Sequence, residues 1–133
     1  MAFDTVGAPL GTFGFWSTTQ SNDPMGMWAL LEPMRRLPLG DALFSTTFVP
    51  GLALLVLIGL PHAAGLVLLL RRRPSAYWVC LAAGLIMVAW ISLQLFVLYG
   101  PNPMSLIWGA IAVIESALAA AAIRRNRQPA QAR

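Results

Sequence analysis

Polar residues drop out of this chain in three long blocks. From Phe48 to Leu70 the one strongly polar side chain is His62, from Ala76 to Tyr99 the polar ones are Ser92 and Gln94, and from Met104 to Ile123 the charged one is Glu115. Each block reaches the about 20 apolar residues that an α-helix needs to cross a bilayer. The pattern predicts an all-α integral membrane bundle with transmembrane helices over 48–70, 76–99 and 104–123. Tyr77, Trp78 and Tyr99 sit at the ends of the second block, where aromatic belts form at membrane–water interfaces. Gly100-Pro101-Asn102-Pro103 is short and rich in helix breakers, which reads as a tight turn.

The first 47 residues follow no such pattern. No signal peptide is expected, since a basic n-region and a long apolar h-region are both missing. Val6 to Trp16 (VGAPLGTFGFW) is apolar, contains three glycines and has about half the length of a span. It is expected to be partly inserted or interfacial, or to complete a span that begins upstream. Asp23-Pro24 before MGMWALLE reads as a cap and first helical turn. This predicts a short surface helix near 24–36, limited by Pro33 and ended by Pro38-Leu39-Gly40. The expected organisation is an extracytoplasmic or interfacial segment (1–47), a transmembrane bundle (48–123) and a basic tail (124–133).

Charge then sets orientation. The chain is 58% hydrophobic and 11% charged, against about a quarter charged in a soluble domain. Its basic residues are nine arginines and no lysine. Arg71, Arg72 and Arg73 follow the first block, and Arg124, Arg125, Arg127 and Arg133 follow the third. That is topology charge and not a nucleic-acid stripe, so no nucleic-acid partner is expected. The arginine loop and tail are expected in the cytoplasm and the N-terminal region outside. Asp4, Asp23, Glu32 and Asp41 fall in that outer region; Arg35-Arg36 runs against the rule. The tail is expected to be flexible and to touch anionic headgroups. A lone cysteine, Cys80, excludes an internal disulfide and reads as a small apolar residue.

Ionisable groups inside a membrane are costly, and each is by default a functional candidate. His62 and Glu115 both stand eight residues before the arginine end of their block, which puts each about 12 Å from that end. They are matched in depth and can meet if their helices face each other, with Ala82, Ala83 and Gly84 of the second block leaving room. Pro61 lacks the N–H that would bond the Leu57 carbonyl, so a kink is expected beside His62. The pair reads as a proton-carrying or ligand-binding site, or as a buried hydrogen bond that fixes helix contact. Met87, Trp90 and Gln94 share one helix face near the outer end, as a pocket closed by the N-terminal segment or as an ordinary interior face. Gly109, Ala112, Ser116 and Ala120 form a small-residue seam on the third helix. A phosphate loop, HExxH, CxxC and a Ser/His/Asp set are all missing from the sequence. One histidine and one cysteine do not build a metal site alone. No catalytic residue, metal or enzyme activity is therefore expected, and the sequence specifies no cofactor.

Several of these features occur together: Asp23-Pro24-Met25-Gly26, then Phe48-Val49-Pro50-Gly51-Leu52 opening a span, an arginine-rich turn, Trp90 with Gln94, and a last span carrying Glu115. Over about residues 22 to 123 this order resembles a group of small bacterial four-span membrane proteins for which no activity is known. The resemblance implies a compact helical bundle in the bacterial inner membrane and no chemistry. Those proteins carry a clear N-terminal span where this chain has VGAPLGTFGFW, and a small polar residue where His62 stands. The leading functional expectation is a non-catalytic accessory or scaffold subunit, partnered by the lipid bilayer and by other membrane subunits or copies of itself. Two alternatives are a module binding a lipid or other apolar ligand near Trp90 and Gln94, and a small proton-linked transporter or channel-like oligomer using His62 and Glu115.

Overall fold

The computed structural model describes residues 1–19, 21–23, 28, 31–98 and 103–127, all in helices or short connections with no strand among them. Among the described residues three helices are long and apolar enough to cross a membrane: Phe48–Leu70, Ala76–Phe96 and Ser105–Asn126, of 23, 21 and 22 residues. Only 22, 28 and 17% of their most apolar stretches is buried within the chain. Most of the apolar surface therefore faces outward, an arrangement that suits lipid and not water.

The first span is a composite. Helix α4 (Phe48–Leu54) runs into a single π-helical turn, Leu55–Gly59, and continues as α5 (Leu60–Leu70). The Leu60 N–H closes that turn on the Leu55 carbonyl. The wider turn ends two residues before Pro61, the residue unable to continue the regular ladder. Helix α6 (Ala76–Leu93) ends in a second π-turn, Gln94–Leu98. Helix α7 (Pro103–Arg127) outruns the predicted third span by four residues beyond Ile123. Arg124 and Arg125 thus extend the helix instead of opening a flexible tail. Residues 128–133 of the tail, the 100–102 turn and Tyr99 lie outside the described residues.

The N-terminal segment is the main addition. Residues Ala2–Ser17 form one helix, α1, laid antiparallel along the first span. At its far end the Trp16 indole donates to the Phe48 carbonyl (3.1 Å) and its ring stacks on Phe48. One turn further in, the Thr12 hydroxyl bonds the Gly51 carbonyl (3.0 Å). Ala8 lies against Gly59, and Met1 reaches the level of Gly65. Sixteen residues at 1.5 Å each make about 24 Å of helix, short of the about 30 Å hydrocarbon layer. The segment is thus a helix packed along the first span, tied to it at both Trp16 and Thr12. Asp4, Ala8, Thr12 and Phe15 face inward, while Phe3, Val6, Leu10 and Phe13 are exposed.

Of the predicted surface helix near 24–36, Leu31–Arg35 is helical (α2), followed by a further short helix, α3 (Gly40–Leu43); residues 24–27, 29 and 30 lie outside the described set. Arg35, which ran against the orientation rule, is engaged here. Its Nε donates to the Phe44 carbonyl (3.0 Å) and its guanidinium lies over the Trp28 ring.

The core centres on Ala8, Ile58, Met87, Ile91 and Ala112. Helices α6 and α7 come close where Gly84 faces Ser116. A Cβ at position 84 would stand 2.5 Å from Ser116 Oγ and 3.3 Å from the Ser116 backbone nitrogen. The small-residue seam of α7 is thus used inside the chain. Gly84→Leu is expected to force these helices apart at a cost of about 1–3 kcal/mol, read as a lower unfolding midpoint in detergent.

Candidate functional site

The inward face of α1 and the kinked first span bring a third ionisable residue to the predicted pair. Asp4, on the first turn of α1, joins His62 of α5 and Glu115 of α7, and one donor atom from each lies within 4.8 Å of the others. His62 is fully buried, Asp4 is 1% exposed and Glu115 is 14% exposed. Depth matching along the sequence finds the His62–Glu115 pair but not Asp4, whose position in the chain points to the outer segment.

The tautomer of a neutral His62 follows from its partners. Nδ1 lies 2.7 Å from the Ile58 carbonyl oxygen, and a carbonyl only accepts, so Nδ1 carries the hydrogen. In a neutral ring Nε2 then presents a lone pair, and it faces Glu115 Oε2 at 3.5 Å. An imidazole lone pair and a carboxylate oxygen repel unless a positive charge lies between them. The same need runs through the set. Among the described residues, both Asp4 oxygens, His62 Nε2 and Glu115 Oε2 are buried without a hydrogen-bond partner. The Met1 nitrogen stands 3.0 Å from Asp4 Oδ2 and against Glu115 Oε1. For Asp4 this is a charge contact at ion-pair distance without the directed geometry of a hydrogen bond. Two carboxylates and an imidazole, buried together, form a donor set that is satisfied by a cation. His62, Asp4 and Glu115 are the residues able to hold one.

Cavities flank the set on both sides. One, of about 320 Å³, is lined by Asp4, Gly7, Gly11, Leu54, Trp90, Gln94 and Trp108 and extends toward the Trp16–Phe48 end. The predicted Met87–Trp90–Gln94 face lines this cavity, with Asp4, Gly7 and Gly11 of α1 lining it from the other side. A second, of about 310 Å³, is lined by Glu115, Met1, Cys80, Leu69, Tyr77 and Ala122. It adjoins a third, of about 470 Å³, which shares Leu69 and Tyr77 and ends at Arg72, Arg73 and Asn126. Asp4 therefore borders the space on one side of the set and Glu115 the space on the other.

The other predicted residues have structural places. Gly109 lies against Ile91, Ala112 is fully buried in the core, and Ser116 bonds back to the Ala112 carbonyl (2.8 Å) beside Gly84. Ala120 is half-buried on the same helix. Arg71, Arg72 and Arg73 are exposed at the end of α5, where Arg72 takes a left-handed conformation (φ 52°) to make the turn. Arg124 and Arg125 are exposed on the last turns of α7. Pro61 sits two residues after the end of the π-turn that carries Ile58, the partner of His62.

Comparison with protein-family models, curated proteins and solved structures gave no match to this chain.

Proposed function

We propose that this chain is a small integral membrane protein that binds a cation in its bundle core and passes it between the cavities on either side. The observation that carries this reading is the buried Asp4–His62–Glu115 set, whose facing lone pairs call for a positive charge. The cavities bordered by Asp4 and by Glu115 supply routes that a purely structural hydrogen bond does not need. The positive-inside rule orients the Arg71–Arg73 turn to the cytoplasm and α1's N-terminal end toward it. Arginines of the turn and of α7 would meet anionic headgroups, each contributing about 1 kcal/mol near the surface. A scaffold role draws less support, because the seam that would recruit a partner is taken up between α6 and α7.

The test is cation flux in sealed liposomes. Reconstituted protein, with a proton-sensitive or a divalent-ion-sensitive dye enclosed, is expected to dissipate an imposed gradient faster than protein-free vesicles. Asp4→Asn and Glu115→Gln should each slow it about tenfold or more, matching the about 1.5–3 kcal/mol carried by a contact to a charged group. Equal rates in wild type, both variants and protein-free vesicles would refute the reading.

A further inference from the structure

We propose that Asp4, His62 and Glu115 form a binding site for one divalent metal ion of the zinc class. The inference rests on the cation reading above and names the ion.

The donor set fits that chemistry. An imidazole nitrogen with carboxylate oxygens suits zinc and its first-row neighbours, whereas magnesium and calcium favour oxygen alone. His62 is already prepared as a ligand. Its Nδ1–H is spent on the Ile58 carbonyl at 2.7 Å, which fixes the tautomer and aims the Nε2 lone pair at the site. Histidines that hold metals are oriented in this way, by a bond from the other ring nitrogen to a carbonyl or carboxylate. Nε2 is fully buried and has no hydrogen-bond partner among the described residues.

The spacing is close to what an ion needs. The three donor atoms lie within 4.8 Å of one another, and ligands bound at about 2.0–2.2 Å stand roughly 3–4 Å apart. Glu115 is 14% exposed and has three side-chain torsions, so it can close the remaining distance. The ion would take the place that the Met1 nitrogen now holds against Asp4 and Glu115. Three protein ligands leave further coordination open, and the cavities bordered by Asp4 and Glu115 give an ion access. The sequence alone, with one histidine and one cysteine and with Asp4 far from both spans, gives no sign of such a set.

The full chain, purified in mild detergent and stripped with chelator, is equilibrated with Zn²⁺ or Co²⁺ and freed of excess metal by gel filtration. Metal per chain is measured by mass spectrometry, and bound Co²⁺ by its visible d–d absorption. One equivalent is expected in wild type and in Cys80→Ala. Asp4→Asn, His62→Gln and Glu115→Gln should each weaken binding about tenfold or more. Asp4→Asn and Glu115→Gln preserve side-chain shape, so a misfolded His62→Gln leaves the test intact. Wild-type protein without bound metal, or affinity unchanged across those two isosteric variants, would overturn the proposal. Metal bound without flux in liposomes would uphold the site and remove the carrier; proton flux without metal binding would do the reverse.

Discussion

Oxidation of the chain carrying Ala8→Cys and Gly59→Cys, in a Cys80→Ala background, is expected to link α1 to the first span almost completely within a single chain. A Cβ at position 59 would stand 3.4 Å from the Ala8 Cβ, at the short edge of the about 3.5–4.5 Å range in disulfides. The contact lies one helical turn from Asp4 and fewer than four residues from His62, so it reports the docking that completes the site. It also separates the two forms expected for the N-terminal segment, because an interfacial α1 would hold position 8 far from position 59. The crosslink is read as a mobility shift that reductant reverses, with Phe3→Cys/Gly59→Cys as the control, since Phe3 is 64% exposed on the opposite face. Equal yield from both pairs would mean that α1 is not seated as described.

Removing His62 alone should be far more damaging than removing the whole set. His62→Leu leaves Asp4 and Glu115 buried against an apolar side chain and takes the Nδ1–H donor from the Ile58 carbonyl, and each buried polar group left without a partner costs about 1–3 kcal/mol, more where it is charged. Replacing all three by apolar residues, as Asp4→Val/His62→Leu/Glu115→Leu, removes the desolvation cost along with the attraction and should return stability to within about 1–2 kcal/mol of wild type. The comparison is made by denaturant unfolding in detergent, following tryptophan fluorescence. A triple variant no more stable than His62→Leu would indicate that the set is a structural keystone of the bundle. Recovery in the triple variant would mean that the fold tolerates the loss of these charges, which turns attention to what they bind.

Much of this architecture is legible in the residue pattern. Unbroken apolar runs identify the spans because every backbone polar group in lipid must be satisfied within its own helix. Counting along those helices puts His62 and Glu115 at one depth, since the rise per residue is nearly constant. Asp4 escapes such counting. Its helix is shorter than a bilayer, carries Pro9 and three glycines over Val6–Trp16, and so reads as a loop or a surface segment. The signal that does exist is positional. Asp4, Ala8 and Thr12 recur every four residues with Gly7 and Gly11 beside them, a narrow small-and-polar stripe suited to close helix contact. The seam on α7 is legible as a packing face, but not its partner. Only the structure identifies that partner, where Gly84 leaves room for Ser116. The π-turns are also hidden, because a proline announces a break in the ladder but not how the preceding turn absorbs it.

The triple apolar variant provides the most direct measurement of the central claim. Reconstituted beside wild type in sealed liposomes at matched protein density, it is expected to fold and insert equally well and to carry no cation flux above protein-free vesicles. Flux in the folded triple variant equal to that of wild type would contradict the account, since the cation would then cross without Asp4, His62 or Glu115.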